Sequence, residues 1–147
     1  MSWKRPQHPM RVALVAASVF AVANVLIWGG LAQVNGAAQK QRPVEIQSLS
    51  PNEGDLIPPQ GPIVVDLRDE FTGQIFVDGT LIPKDQTTGD PNLGILEFDP
   101  GPGKQFREFG DGAHSAVVEW WPRTISTPEE ARAKQQLRSY SWAFNVG

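Results

Sequence analysis

The chain has 147 residues, with 13 basic side chains, 16 acidic side chains and no cysteine. This length allows one small domain and a short additional segment, and the lack of cysteine excludes disulfides, thiolate metal sites and thiol nucleophiles. Lys4, Arg5 and Arg11 precede residue 12, so the part after residue 34 keeps 10 of the 13 basic and all 16 acidic side chains, a net charge of −6. A nucleic-acid partner is therefore not expected, because phosphate binding needs a basic surface.

The first predicted element is a membrane-spanning helix over residues 12–34, which contain no charged side chain. A helix of this length reaches about 35 Å, enough to cross a hydrocarbon core of about 30 Å. Basic residues before the span predict that residues 1–11 are cytoplasmic and that the C-terminal part lies outside the plasma membrane. The alternative is a cleaved secretory signal, although its apolar core would be longer than the usual 7–15 residues or so.

Two residues of the span are candidates for contact with a partner. Asn24 lies in its middle, where an amide either bonds to a neighbouring helix or is simply tolerated among apolar side chains. Gly29 lies near the outer end beside Trp28, whose indole suits the aromatic belt at a membrane interface. We therefore expect contacts with the membrane through residues 12–34 and with other membrane or envelope proteins.

After a polar tether, residues 35–42, the sequence of residues 43–147 predicts a series of short strands separated by turns. The Asp78-Gly79 dipeptide lies between two β-prone runs and predicts a type I′ hairpin turn, which needs positive φ at both positions. The predicted strands are residues 44–49, 63–67, 73–77, 80–82, 93–98, 113–121 and 139–146. In the last strand, four large residues share the face that we expect in the core: Tyr140, Trp142, Phe144 and Val146.

One helix is predicted over residues 128–137. Thr127 is a suitable N-cap, Pro128 suits the first helical position, and Glu130 completes a capping box. About seven strands with Gly- and Pro-rich turns in this length predict an all-β fold. The expected domain is an immunoglobulin-like antiparallel β-sandwich with one short helix, preceded by the single transmembrane helix.

Several motifs carry a resemblance to known proteins. The segments 46–54 and 62–67 resemble the opening of bacterial Ig-like domains, in which a Pro-x-x-Gly turn joins the first two strands. With residues 77–79, 82–83, 98–104, 120–121 and 142–146, the chain resembles a bacterial family that has one N-terminal span and an Ig-like domain outside the membrane. The resemblance covers most of the chain and implies this fold and topology, but no known reaction. Copper-binding relatives of such sandwiches use several histidines, and His114 alone follows the span here.

Four acids close in the sequence could bind Ca²⁺ if the fold brought them together, because calcium takes six to eight oxygen ligands. They are Asp66, Asp69, Glu70 and Asp78. Since they do not follow the pattern of a calcium-binding loop, solvated acids at strand ends are the favoured interpretation. We therefore expect no metal or other cofactor.

Two further motifs are weak as catalytic or binding signals. Residues 100–104 contain two glycines and a lysine, but a phosphate-binding loop would continue with Ser or Thr into a helix, so a turn is expected. His114 and Ser115 are adjacent on a predicted strand and point to opposite faces, so they cannot form a base–nucleophile pair. A structural role is expected for both.

Trp120 and Trp121 also face opposite ways in a strand. One indole is expected in the core, and the other is either covered by the predicted helix or exposed as a partner contact, since Trp is enriched at interface hot spots. These observations predict a non-enzymatic, membrane-anchored module that acts as an accessory or scaffold subunit of a larger membrane or cell-envelope complex. The alternative is an exported domain that binds a ligand such as a cell-wall glycan or Ca²⁺.

Overall fold

A computed structural model of the protein describes residues 40–147. Arg42–Gly147 form one compact unit. The predicted span, with Asn24 and Gly29, lies outside the described residues. Among residues 40–147, no helix has the length and apolar character needed to cross a membrane.

The described part of the chain contains eight strands, one 3₁₀ turn and one α-helix. Seven of the strands correspond to the predicted ones, whereas β2 was not predicted. The strands are β1 (Ile46–Ser50), β2 (Leu56–Ile57), β3 (Ile63–Leu67), β4 (Phe71–Val77), β5 (Thr80–Leu81), β6 (Ile95–Phe98), β7 (Gly112–Pro122) and β8 (Arg138–Val146). The 3₁₀ turn is Lys84–Gln86, and the helix α1 is Pro128–Ala133.

Two sheets form the domain. The smaller has the order β1-β3-β6, and the larger has the order β2-β8-β7-β4-β5. All neighbours are antiparallel except β2 and β8, which are parallel. Because buried residues from both sheets belong to one hydrophobic cluster, the fold is an all-β sandwich with one short helix.

The strand β8 shows how alternation in the sequence forms this core. Its four large residues are buried, as predicted: Tyr140, Trp142, Phe144 and Val146. They pack with apolar residues of β3, β4 and β6 in the same cluster. One face of β8 is therefore buried in the core and the other is largely exposed, as expected for a half-buried strand.

The hairpin between β4 and β5 confirms the predicted turn. Asp78 and Gly79 have φ values of 47° and 76°, and Val77 pairs with Thr80 across them. The β4 strand, however, begins at Phe71 and not at Gly73 as predicted. Phe71 and Thr72 extend it because the long strand β7 offers pairing partners as far as Pro122.

The helix α1 begins as predicted and ends earlier. The Thr127 hydroxyl accepts a hydrogen bond from the Glu130 amide, and the Glu130 carboxylate accepts one from the Ser126 amide. The prediction of a helix up to residue 137 is wrong, because Gln135 takes a φ of 56°. The amide of Gln136 then bonds back to the carbonyl of Ala131 and closes the helix.

Candidate binding site

A groove of about 390 Å³ lies along one edge of the larger sheet. We call it the β4-edge groove. Its lining comes from three parts of the chain: the first half of β4, the segment that follows β5 together with β6, and the turn between β7 and α1. The lining residues are Thr72, Gly73, Gln74, Leu81, Ile82, Lys84, Thr87, Thr88, Gly89, Pro91, Ile95, Leu96, Trp121, Arg123, Ile125, Ser126 and Pro128. This volume falls in the range of about 300–1,000 Å³ that is typical of ligand pockets.

The backbone of Gly73 faces this groove. In an antiparallel ladder, the backbone groups of alternate residues point to opposite sides of the strand. The amide of Asp78 bonds to Ser115 on β7, whereas the carbonyl of Ile75 accepts from Ile82 on the other side, both at 2.9 Å. The pairing of β4 with β7 is continuous from Phe71 to Val77, with no β-bulge. Gly73, two residues before Ile75, therefore directs its N–H and C=O away from β7 and into the groove.

The free edge exists because β5 is short. Leu81 is its last residue, and its pairing with β4 covers only Phe76 and Val77, extended by the bond from Ile82. Pro83 follows and has no N–H to donate. The chain then leaves the sheet in the 3₁₀ turn at Lys84–Gln86.

Glycine at position 73 is required by the close approach of the neighbouring strand β7. A Cβ atom there would lie 2.5 Å from the carbonyl oxygen of Glu119 and 3.2 Å from Cδ1 of Leu96. The first of these contacts is with backbone, which cannot rotate away. Gly73 therefore lets the backbone of β7 lie close to β4 behind the groove.

The charged residues that line the groove are both basic, although the part of the chain after residue 34 has a net charge of −6. Arg123 is held in place, since its guanidinium donates to the carbonyl of Asn92 at 2.9 Å and to that of Phe71 at 3.4 Å. Lys84 is exposed and forms no ion pair with any described residue. The groove thus presents a cationic group beside apolar side chains and a free strand edge.

A second polar cluster lies at the opposite end of β4. Nδ1 of His114 is 2.7 Å from the Asp78 carboxylate, and its Nε2 is 2.6 Å from the carbonyl oxygen of Gly110. The other oxygen of the Asp78 carboxylate accepts the amide of Ser115 at 2.9 Å. Because both partners of the ring are acceptors, both ring nitrogens must donate, and only the protonated imidazolium does so.

The pKa values of this cluster shift in the directions that the contacts require. Burial alone would raise the pKa of the Asp78 carboxyl, but the Ser115 amide and the His114 ring outweigh it and hold the pKa below its usual value. Burial alone would lower the pKa of His114, but its bonds to Asp78 and Gly110 raise the pKa above its usual value. Neither nitrogen is available to activate Ser115, so the predicted structural role of His114 fits the geometry.

The four acids considered for Ca²⁺ are not brought together. Asp69 and Glu70 precede β4 and Asp78 follows it, so the strand separates them by roughly 25 Å at about 3.3 Å per residue. Among residues 40–147, no three His, Asp or Glu side chains form a group that could hold a metal ion. The grouping of Asp66, Asp69, Glu70 and Asp78 into one site is therefore wrong.

Residues 100–104 form the expected turn. The Lys104 amide bonds to the carbonyl of Gly101, and its ammonium donates to the carbonyl of Asp99 at 2.7 Å. The same ammonium lies 5.9 Å from the centre of the Phe98 ring. The Lys104 side chain thus stabilises the loop that contains it.

Both tryptophans are buried, with 2% of Trp120 and 6% of Trp121 exposed. Trp120 belongs to the sandwich core. Trp121 lies on the outer side with Ile125 and Ala131 of the helical segment, and its indole N–H donates to the carbonyl of Ile125 at 3.1 Å. The expectation that the second indole is covered by the helix is confirmed. A partner contact through Trp120 or Trp121 stays a prediction, but it cannot depend on an exposed indole.

Sequence reasoning did not identify the groove. Two local signals point to it: a glycine inside a strand marks close backbone approach, and a proline directly after a short strand ends its pairing. These are Gly73 and Pro83. Their combined effect depends on which strand lies next to β4, and this is a property of the tertiary fold.

Comparison with known proteins gives limited similarity. No family model matches the sequence, and no curated protein matches it. Among the solved structures that match is CopC from Methylosinus trichosporium OB3b, with 12% sequence identity and a TM-score of 0.46, over 69% of this chain and 90% of that chain. The description of this chain as a β-sandwich depends on its own strand pairing.

Proposed function

We propose that this protein is a non-enzymatic binding module of immunoglobulin type, anchored in the plasma membrane by residues 12–34, with its sandwich outside the cytoplasm. In this proposal it acts as an accessory subunit of a larger membrane or envelope complex. The strand order supports the immunoglobulin assignment. One sheet carries the first, second and fourth of the six longer strands, which are β1, β3 and β6. The other carries the remaining three with a short strand at each edge, and the short strand β2 is parallel to β8.

The observation that carries the proposal is the β4-edge groove. It combines a volume suited to a ligand with unpaired backbone groups and an exposed ammonium, which are recognition features. The polar cluster around His114 has its hydrogen-bonding groups engaged within the fold. A binding role therefore accounts for the features of residues 40–147 better than a hydrolytic one.

Binding of a cell-wall glycan or Ca²⁺ is less well supported. Glycan sites rely on aromatic faces, and the aromatic residue in the groove lining, Trp121, is only 6% exposed. The carboxylates that could have bound Ca²⁺ lie at different ends of β4. A thermal shift on addition of Ca²⁺ or glycan fragments would favour this alternative by mass action.

The test is co-purification of the full chain, tagged at its C-terminus, from native membranes in mild detergent. We expect a defined partner in constant ratio, and recovery of this chain when that partner is tagged in turn. A tagged segment of residues 1–42 is the control, because it reports what binds through the membrane segment alone. A chain that is monomeric in every detergent, or a partner recovered equally with residues 1–42, would contradict the proposed role of the sandwich.

A further inference from the structure

We propose that the β4-edge groove binds an extended peptide segment of a partner, which adds to the free edge of β4 at Gly73 and places an acidic side chain near Lys84. This inference rests on the proposed binding function and names its ligand class. If it fails, the proposed binding function could still be carried out by another surface of the sandwich.

The backbone geometry selects an extended strand. A residue at a sheet edge whose N–H and C=O both point outward can exchange two hydrogen bonds with one residue of an added strand. Its N–H donates to the carbonyl of that residue, and its C=O accepts from the amide of the same residue. Gly73 has this arrangement. Ile75, two residues further along β4, points the same way, and its carbonyl accepts the hydrogen bond from Ile82. A segment bound at Gly73 would thus continue the line of β5 beyond the point where Pro83 directs the chain away.

The edge is short, which limits the partner to a brief segment. At one end of the free stretch, the guanidinium of Arg123 reaches the carbonyl of Phe71. At the other end, Ile82 occupies the carbonyl of Ile75. Gly73 lies between these two points and offers two hydrogen bonds, so side-chain contacts must supply the remaining affinity.

The walls of the groove indicate what those side chains are. Leu81 is 44% exposed, and with Ile95 and Leu96 it offers apolar contact to one side chain of an incoming strand. Lys84 lies on the same wall and forms no ion pair with a described residue. The lining contains no acidic side chain. Charge complementarity therefore favours a peptide that carries a carboxylate.

The test uses full-length protein in detergent micelles and a dye-labelled heptapeptide that alternates threonine and valine around a central glutamate, with blocked ends. Fluorescence anisotropy measures affinity, and hydrogen–deuterium exchange locates the bound peptide. We expect slower exchange of the segment that contains Gly73. A peptide methylated on every backbone nitrogen should bind about tenfold or more weakly, because it cannot donate to the sheet edge.

A separate pair of variants tests the preference for an acidic peptide. Replacing the central glutamate by lysine should weaken binding to the native chain about threefold, and Lys84→Glu should reverse that preference. Arg107→Glu is the matched control, since Arg107 is also exposed but lies outside the groove lining. It should bind as the native chain does.

Three outcomes would overturn the inference. They are no saturable binding up to about 1 mM peptide, equal binding of the methylated peptide, and protection that excludes residues 72–74. If the complex found by co-purification persists in the presence of saturating heptapeptide, the accessory function stands and the groove is not its binding site. If no complex exists but the peptide binds as expected, the groove inference stands and the accessory role fails.

Discussion

The carboxylate of Asp78 lies 2.7 Å from Nδ1 of His114, although 36 residues separate them in the sequence. The hairpin turn holds Asp78 beside β7, and the His114 ring packs against the rings of Phe109 and Phe144, whose centroids are 5.8 and 5.6 Å away. This contact joins the β4–β5 turn to the loop before β7, because the same imidazole also reaches the carbonyl of Gly110. It is a pH-sensitive link between two loops.

The pair predicts a limited pH range of stabilisation. The pKa of His114 is raised in the folded state, so its contribution is complete below about pH 6.5 and is lost as the pH rises through the folded-state pKa. The pKa of Asp78 is lowered, so its contribution is present above about pH 3.8 and is lost as the pH falls through the lower value. The link should therefore be strongest between about pH 4 and 6.5.

His114→Gln should reduce the free energy of unfolding by about 1 kcal/mol at pH 6, a modest value because the Asp78 side chain is 40% exposed. The difference from the native chain should shrink towards pH 9. Urea unfolding at several pH values measures it. A difference that is constant from pH 6 to 9 would contradict the ion-pair interpretation.

The companion variant is Asp78→Asn, in which asparagine tolerates the positive φ of this turn position. It removes the negative charge while keeping an acceptor for the Ser115 amide. The pKa of His114, followed by NMR, should then fall towards about 6.5. An unchanged His114 pKa would show that the Gly110 carbonyl alone raises it.

Gly73→Ala should lower the free energy of unfolding by about 1–3 kcal/mol, because the new methyl group would meet backbone at 2.5 Å. Gly101→Ala is a matched control. A Cβ there would meet only the Lys104 side chain, at 3.9 Å, and the change should stay within about 0.5 kcal/mol. Chemical denaturation compares the two. Equal stabilities would mean that the backbone of β7 does not lie this close to Gly73.

Thr127→Ala should lower the free energy of unfolding by about 1 kcal/mol, since it removes the side-chain oxygen that caps α1. Thr124→Ala, at an exposed turn position three residues earlier, should change it by less than about 0.5 kcal/mol. The same denaturation assay applies to both. A Thr124 effect as large as the Thr127 effect would remove the capping explanation.

Local sequence signals were sufficient where the fold uses local geometry. The Asp78-Gly79 turn, the Thr127 cap and the alternating large residues of β8 each specify a conformation within a few residues, and the structure confirms all three. The end of α1 was not predictable in this way. Gln135 carries no propensity for the positive φ that it adopts, and the adjoining Leu137 packs against the cluster around Trp121, which is a tertiary contact.

The candidate site was largely hidden from the sequence because it depends on what lies beside β4. Pro58 and Pro59 obscured β2, whose pairing with the distant β8 is a tertiary feature. In the same way, the free edge at Gly73 results from the short pairing of β5 and from the loop that follows it. A Ca²⁺ cluster of acids was the less favoured interpretation of their spacing in the sequence, and the seven-residue strand β4 separates the acids before it from Asp78.

The proposed membrane topology predicts which positions can be labelled from outside. Because the native chain has no cysteine, single-cysteine variants give a clean signal with a membrane-impermeant maleimide. Thr124→Cys should react in cells whose cytoplasmic membrane is intact, whereas Ser2→Cys should react only after lysis, since basic residues before the span keep it inside.

Fractionation of the labelled Thr124→Cys chain separates the anchor from the cleaved signal. An anchored chain should keep its full-length mass and stay with the membrane after alkaline extraction, because a span of this length does not leave lipid. A shorter, extractable product would establish cleavage and would leave the domain outside the membrane without an anchor. Labelling of Ser2→Cys but not Thr124→Cys in intact cells would show the opposite orientation. The sandwich, and any partner of the β4-edge groove, would then lie on the cytoplasmic side.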